Sequence, residues 1–432
     1  MLKNNLMQAD KLIRTAEDAK LLRTPLIQNS IRAVLASGDP ALAGHIQKYL
    51  ELKAGEAKLL QYPFEQYLEN PVTPHSGNDN KIVIGMIQRI NQAFIYLLNL
   101  LVMHCLVIGA SGTGKTTLFY GLIAQCIKHG VNVLVFDKDK QDYRHLLRFF
   151  KDLPVFDAAK NFFFNPWQVP SHVNPKHWLA ASVQIFCKAN SLLDGSESLL
   201  LEIMVWLYEK FGVFSSNSGK APTMLDLYKR VTSLNFKGFR SKGYQESIIN
   251  RLEAYISLHG DIYEYERGIP IEWISNNSMV LEVKGLTDRV ARFNTTILLY
   301  ALFMHRLAIN ERGNTLRNLA VIDEAKWLAP PGYNEASGFS VLTSIMAMAR
   351  EAGLGLVLGD QTAQLDDSVF VNSRIKCCFR LGDGQDIEKI KHAMSLTEEQ
   401  ARYITRLGTG ECIVRIPGEE PFIINTLKVN LE

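Results

Sequence analysis

The stretch from His104 to Thr117, HCLVIGASGTGKTT, joins the apolar run CLVI to a turn of glycines and then to the helical pattern TTLFYGLIAQCIK. Its eight residues Gly109, Ala110, Ser111, Gly112, Thr113, Gly114, Lys115 and Thr116 match G-x-x-x-x-G-K-[ST], and they stand between strand and helix, where that pattern has physical meaning. Glycines let the backbone bend close enough for its N–H groups to point at phosphate oxygens, and the helix that follows aims its positive end at the same charge. Lys115 is expected to reach the β- and γ-phosphates of ATP. The Thr116 hydroxyl is expected to coordinate Mg2+ between them, with Thr117 completing the turn.

A phosphate loop needs a partner for hydrolysis. Leu319-Ala320-Val321-Ile322-Asp323-Glu324 is a second apolar run, and it ends in two carboxylates. In open α/β sheets ligands lie at the carboxyl ends of strands, so these acids are expected at the nucleotide. Asp323 would hold the metal shell and Glu324 would orient and deprotonate the attacking water. A third run, Gly353 to Gly359, ends in Asp360-Gln361, and the Gln361 amide is suited to sensing the γ-phosphate because it can bond both water and phosphate.

Outward from these motifs, apolar runs alternate with helical stretches: His104 to Ile108, Val131 to Phe136, Met279 to Val283, Leu319 to Ile322, Leu354 to Leu358 and Ile375 to Leu381. This alternation predicts an α/β fold with a mostly parallel sheet. The expected organisation is a helical N-terminal region over 1–70, a linker over 71–81 carrying Pro71, Pro74 and Gly77, and a main domain over 82–432. Long amphipathic patterns predict a helical insertion at about 171–260, and GECIVRI followed by PGEE and PFIINTL predicts a closing β-hairpin.

The 432 residues, 47% of them hydrophobic, are enough for one large or two medium cores. A net charge of +3 and a pI near 8.4 exclude a protein that coats nucleic acid through unfocused charge, so any DNA contact must be local. Six cysteines without a C-x-x-C pair argue against zinc and a disulfide framework. The first 20 residues lack the apolar core of a secretory signal, and Asn99 and His104 interrupt the most hydrophobic stretch, so a cytoplasmic protein without a membrane span is expected.

Taken together, HCLVIGASGTGKTT, VLVFDKDKQDY, FNPW, LAVIDEAKWLAP and MAREAGLGLVLGDQTAQLDDSVFVNSRIKCCFRLGD resemble the HerA/FtsK superfamily of P-loop ATPases, and HerA more than FtsK proper. The resemblance spans about residue 82 to the end. It implies a RecA-like P-loop NTPase domain, ATP and Mg2+ as ligands, and a homo-oligomeric, typically hexameric, ring that translocates double-stranded DNA together with a separate nuclease or other effector. It also implies a trans-acting arginine, for which Arg350 stands in the family's place, with Arg374 and Arg380 as competitors. The helical N-terminus departs from the small β-barrel of HerA motors. Two readings stay beside the motor: an ATPase energising conjugative or type IV secretion transfer, and an ATP-binding ring scaffold that regulates an effector. For DNA the candidate patches are Lys138, Lys140, Arg144 and Arg148, and Lys284, Arg289 and Arg292.

Overall fold

The computed structural model describes residues 9–16, 24–59, 63–64, 80–88, 92–138, 140–215, 220–309, 315–332 and 341–427. The chain divides into two compact units, Met1–Glu65 and Gln66–Glu432. The linker expected over 71–81 lies, apart from its last two residues, outside the described residues.

In the first unit, α1 (residues 9–16), α2 (Pro25–Ser37) and α3 (Pro40–Leu59) bury Leu12, Ile27, Ile31, Val34 and Leu50 in a small core of their own. Gly38 closes α2 in the left-handed conformation, and its N–H bonds the Val34 carbonyl.

The second unit is built on one eleven-stranded sheet. Its strands are β1 (Lys81–Ile87), β2 (Gln92–Leu97), β3 (Cys105–Ile108), β4 (Asn132–Asp137), β5 (Val155–Asp157), β6 (Met279–Glu282), β7 (Asn318–Ile322), β8 (Leu354–Asp360), β9 (Ile375–Cys378), β10 (Glu411–Arg415) and β11 (Phe422–Thr426). Their order across the sheet is β2-β1-β11-β10-β9-β3-β8-β7-β4-β6-β5. From β9 to β5 every neighbouring pair is parallel, and from β2 to β9 every pair is antiparallel. The composition explains the split. Strands β3, β7 and β8 are continuous aliphatic runs buried along their whole length, as a strand covered on both faces requires. Strand β1 instead alternates buried and half-buried residues, the pattern of a less enclosed antiparallel edge.

Helix α4 (Lys115–Lys128) packs Leu118, Phe119, Leu122 and Ile123 into the core that β3, β7 and β8 line. Between β5 and β6 the chain makes a helical excursion of α5 (Pro175–Ala189), α6 (Asp194–Lys210), α7 (Met224–Ser233), α8 (Phe239–Tyr263) and α9 (Ile271–Asn276). It is tied to the sheet's helical layer through α10 (Asp288–Ala308): Phe293 of α10 meets Trp167, Phe186 and Tyr255 with ring centroids 5.2 to 6.1 Å apart. Asn165 of the FNPW motif is buried there and donates to the carbonyls of Pro222, Tyr265 and Glu266 while accepting from the Trp167 N–H. Beyond β7, α11 (Val341–Met348), α12 (Asp367–Asn372), α13 (Gly384–Met394) and α14 (Glu398–Tyr403) complete the described helices.

One buried polar group ties the sheet to its cover. His104, just before β3, is buried; its Nδ1 accepts from the Leu356 N–H (3.0 Å) and its Nε2 donates to the Met346 carbonyl (2.7 Å), which fixes a neutral ring. Burial lowers its pKa from 6.5 to about 4. The unfolded chain therefore takes up this proton before the folded chain does, so the contribution is fully present above pH 6.5 and is lost as pH falls toward 4. Urea unfolding of the wild type and of His104→Gln is expected to show a stability gap that narrows by roughly 2 kcal/mol between pH 7 and pH 4.5. A gap independent of pH would rule this out.

Candidate nucleotide site

Parallel strands in the order β3-β8-β7-β4 set four carboxyl ends side by side, with Ile108 opposite Asp360, Ile322 opposite Leu358 and Phe136 opposite Ile322. The turns that follow them converge on a cavity of about 220 Å³. Ser111, Gly112, Gly114, Lys115, Thr116 and Thr117 line it from the β3 turn, Asp323 and Glu324 from β7, and Gln361 from β8.

The remaining loop residues give the turn its body. The Gly109 N–H donates to the Asp360 carbonyl (3.2 Å), the Ala110 N–H to the Arg380 carbonyl (2.9 Å), and the Thr113 hydroxyl to the Ala110 carbonyl (2.7 Å). Gly114 has φ 117°, a conformation that side chains rarely adopt, and its Cα face lies against the backbone of Gly410. Lys115 is buried, and its ammonium donates to the carbonyls of Gly109 and Ala110, the latter at 3.0 Å. Burial lowers its pKa; the charge of Asp323 opposes that shift and the charge of Lys140 adds to it.

Asp323 is braced on both oxygens: Oδ1 accepts from the Glu324 N–H (3.0 Å) and Oδ2 from the Tyr143 hydroxyl (3.1 Å). Glu324 has φ 57° and ψ 49°, left-handed values that cost a side-chain-bearing residue about 1 kcal/mol or more. That backbone turns its carboxylate along the cavity, where Oε1 accepts from the Gln361 amide at 2.9 Å and stands 3.6 Å from the Lys140 ammonium. Asp360, the last residue of β8, accepts from the N–H groups of Lys326 and Thr362 and so ties the Gln361 turn to the β7 turn. Burial raises its pKa. A side chain on Gly359 would collide with the ring of Phe119, so glycine there lets α4 and β8 approach.

A hydroxyl at Thr116 and a carboxylate at Asp323 are hard oxygen donors on one cavity, a set that suits Mg2+ shared with phosphate oxygens. Three cavity elements went unrecognised in the sequence. Tyr143 lies six residues past β4 and bonds Asp323; Thr409 lines the cavity, with the Gly410 N–H donating to the Thr113 carbonyl; and Lys140 reads in the sequence as one of the candidate DNA-contacting cations.

The arginines separate. Arg350 sits on a turn at the amino end of β8, and Gln361 follows its carboxyl end, so about 20 Å of strand lies between Arg350 and this chain's own cavity. Arg374 also precedes a strand, whereas Arg380 follows β9 beside the loop. In the expected DNA patches, Lys138 pairs with Asp288 (2.8 Å), Arg144 with Glu282, and Arg292 donates to the Trp327 carbonyl. A second cavity, of about 180 Å³, lies at the base of the helical excursion beside Gln168 and Ile271, away from these groups.

The fold and this cavity define a RecA-like P-loop NTPase domain. Residues 82–173 match the family model described as "Helicase HerA, central domain", which bears out the resemblance to the HerA/FtsK superfamily. No curated protein matches the chain in sequence. Among solved structures, VirB4 of Thermoanaerobacter pseudethanolicus is 16% identical with a TM-score of 0.65, covering 82% of this chain and 98% of that one. The plasmid coupling protein TrwB in complex with ADP and Mg2+ is 14% identical with a TM-score of 0.57, covering 81% and 94%. At such identities the likeness is one of fold. Among the described residues no helix is long and apolar enough to cross a membrane.

Proposed function

We propose that the chain is a Mg2+-dependent ATPase that assembles as a ring and translocates double-stranded DNA. The observation that carries this reading is the convergence of Lys115, Thr116, Asp323, Glu324 and Gln361 on one cavity at neighbouring strand ends. Lys115 and the loop N–H groups would hold the phosphates, and Asp323, kept in place by Tyr143, would hold Mg2+ with Thr116. When bound, Mg2+ supplies positive charge against the developing negative charge on the β–γ bridge. Glu324 accepts the proton of a water that attacks the γ-phosphorus, the bond to the bridging oxygen breaks, and ADP leaves with that electron pair. Gln361 donates to Glu324 and lines the same cavity, where its amide would help to orient that water. Arg350, remote from its own cavity, is assigned to the neighbouring subunit's phosphate. The match to the HerA central domain over 82–173 supports the motor reading.

A second reading is favoured by the likeness to TrwB, whose structures are described as a conjugative coupling protein: an ATPase that energises transfer at a membrane complex. The two separate in one experiment. The motor is expected to hydrolyse ATP several-fold faster with linear double-stranded DNA and to stay in the supernatant on membrane fractionation. DNA-independent turnover together with recovery in the membrane fraction would replace the motor by the transfer ATPase.

A further inference from the structure

We propose that Lys140 is a γ-phosphate-reading lysine: it is the counter-ion of Glu324 in the arrangement seen, and it transfers to the terminal phosphate when ATP is bound. This deepens the ATPase reading and rests on it.

Described residues on either side of Lys140 in the sequence make specific contacts. Gln141, next in sequence, adopts a left-handed φ of 56°, and its backbone N–H donates to Asp137 while its side-chain amide donates to Glu282 (3.0 Å). Lys138 is paired with Asp288 and lies over the Trp327 ring, 5.7 Å from its centroid. Tyr143 is bonded to Asp323. Gln141 and Tyr143 tie down the chain that follows Lys140, whose side chain lines the cavity with Asp323 and Glu324 of the β7 turn. An unrestrained surface lysine would have no such placement.

The chemistry follows from what Lys140 meets. Its ammonium stands 3.6 Å from Glu324 Oε1, the same oxygen that accepts from the Gln361 amide at 2.9 Å. One carboxylate oxygen is thus shared between an ammonium and an amide donor. Yet the ion pair is long and its groups are 46% and 20% exposed, so it is a weak tie. A terminal phosphate carries more charge and more acceptor oxygens than a carboxylate, and it draws the ammonium away. ADP lacks that group. Lys115, bonded to the loop carbonyls of Gly109 and Ala110, is placed to reach the β-phosphate that both nucleotides carry as well as the γ-phosphate. Lys140 therefore adds a contact that ATP can make and ADP cannot.

Binding of fluorescent ADP and of fluorescent ATPγS, each with Mg2+, would be titrated on the full chain as wild type, Lys140→Ala, Lys140→Arg and Lys115→Ala. For Lys140→Ala, ATPγS affinity is expected to fall at least about tenfold while ADP affinity moves less than about twofold, with Lys140→Arg restoring most of the preference. Lys115→Ala is expected to weaken both nucleotides. If Lys140→Ala leaves both affinities unchanged, or lowers them equally, the inference is overturned and the ATPase reading survives. If the wild type binds neither nucleotide, the reading and the inference fall together.

Discussion

Glu324→Gln is expected to lower ATP turnover by roughly 10²- to 10⁴-fold while leaving nucleotide affinity within about twofold, the range spanned by loss of a positioned general base. The substitution is close to isosteric, and an amide oxygen can still accept from the Gln361 side chain that now bonds Oε1. The backbone at 324 keeps its left-handed turn, and Asp323 keeps its bonds from the 324 N–H and from Tyr143. What disappears is the ability to take a proton, and with it the negative charge that Lys140 faces. Single-turnover hydrolysis beside equilibrium binding of ATP separates the two effects. A variant that hydrolyses within about fivefold of wild type would remove Glu324 from the chemistry and leave it as a partner of Gln361 and Lys140.

Lys115→Ala acts one step earlier. Its ammonium is buried in a cradle of loop carbonyls, and charge-assisted bonds to phosphate are worth about 1.5 to 3 kcal/mol each, so nucleotide affinity is expected to fall roughly tenfold to a hundredfold, with turnover lost. Its partners are carbonyls of the same turn, and the loop remains tied by the Gly109 N–H to Asp360, the Ala110 N–H to Arg380, and the Thr113 carbonyl, which accepts from the Gly410 N–H. The thermal midpoint is therefore expected to stay near that of the wild type. Unchanged affinity in an intact fold would place the phosphates elsewhere.

Much of this site was legible in the sequence because each motif is local. The phosphate loop, the Asp323-Glu324 pair and Gln361 each lie directly after an apolar run, and a parallel sheet sends all such ends to one edge. Strand β5, of three residues, is too short to show a period, and the alternation in β1 and β2 marks an antiparallel edge only once the partner β11 is known. Lys140, Tyr143 and Thr409 were hidden for a different reason. A cation after a strand reads the same whether it faces solvent or a neighbouring turn, and only the placement of β4 beside β7 brings Lys140 to Glu324 and Tyr143 to Asp323. That adjacency joins residues about 180 positions apart, beyond any local pattern.

The strand order also governs when the site can exist. Strand β3 carries the phosphate loop, yet it lies between β8 and β9, whose residues are made roughly 250 positions later. During synthesis β3 leaves the ribosome with both hydrogen-bonding edges unmet; one waits for residues up to Asp360 and the other for residues up to Cys378. Closing so long a chain segment makes assembly of the central sheet a late and slow event, because the entropy of closure precedes the pairing that rewards it. The nucleotide cradle, whose Ala110 N–H is bonded to the carbonyl of Arg380 just past β9, is thus complete only after β9 has joined the sheet.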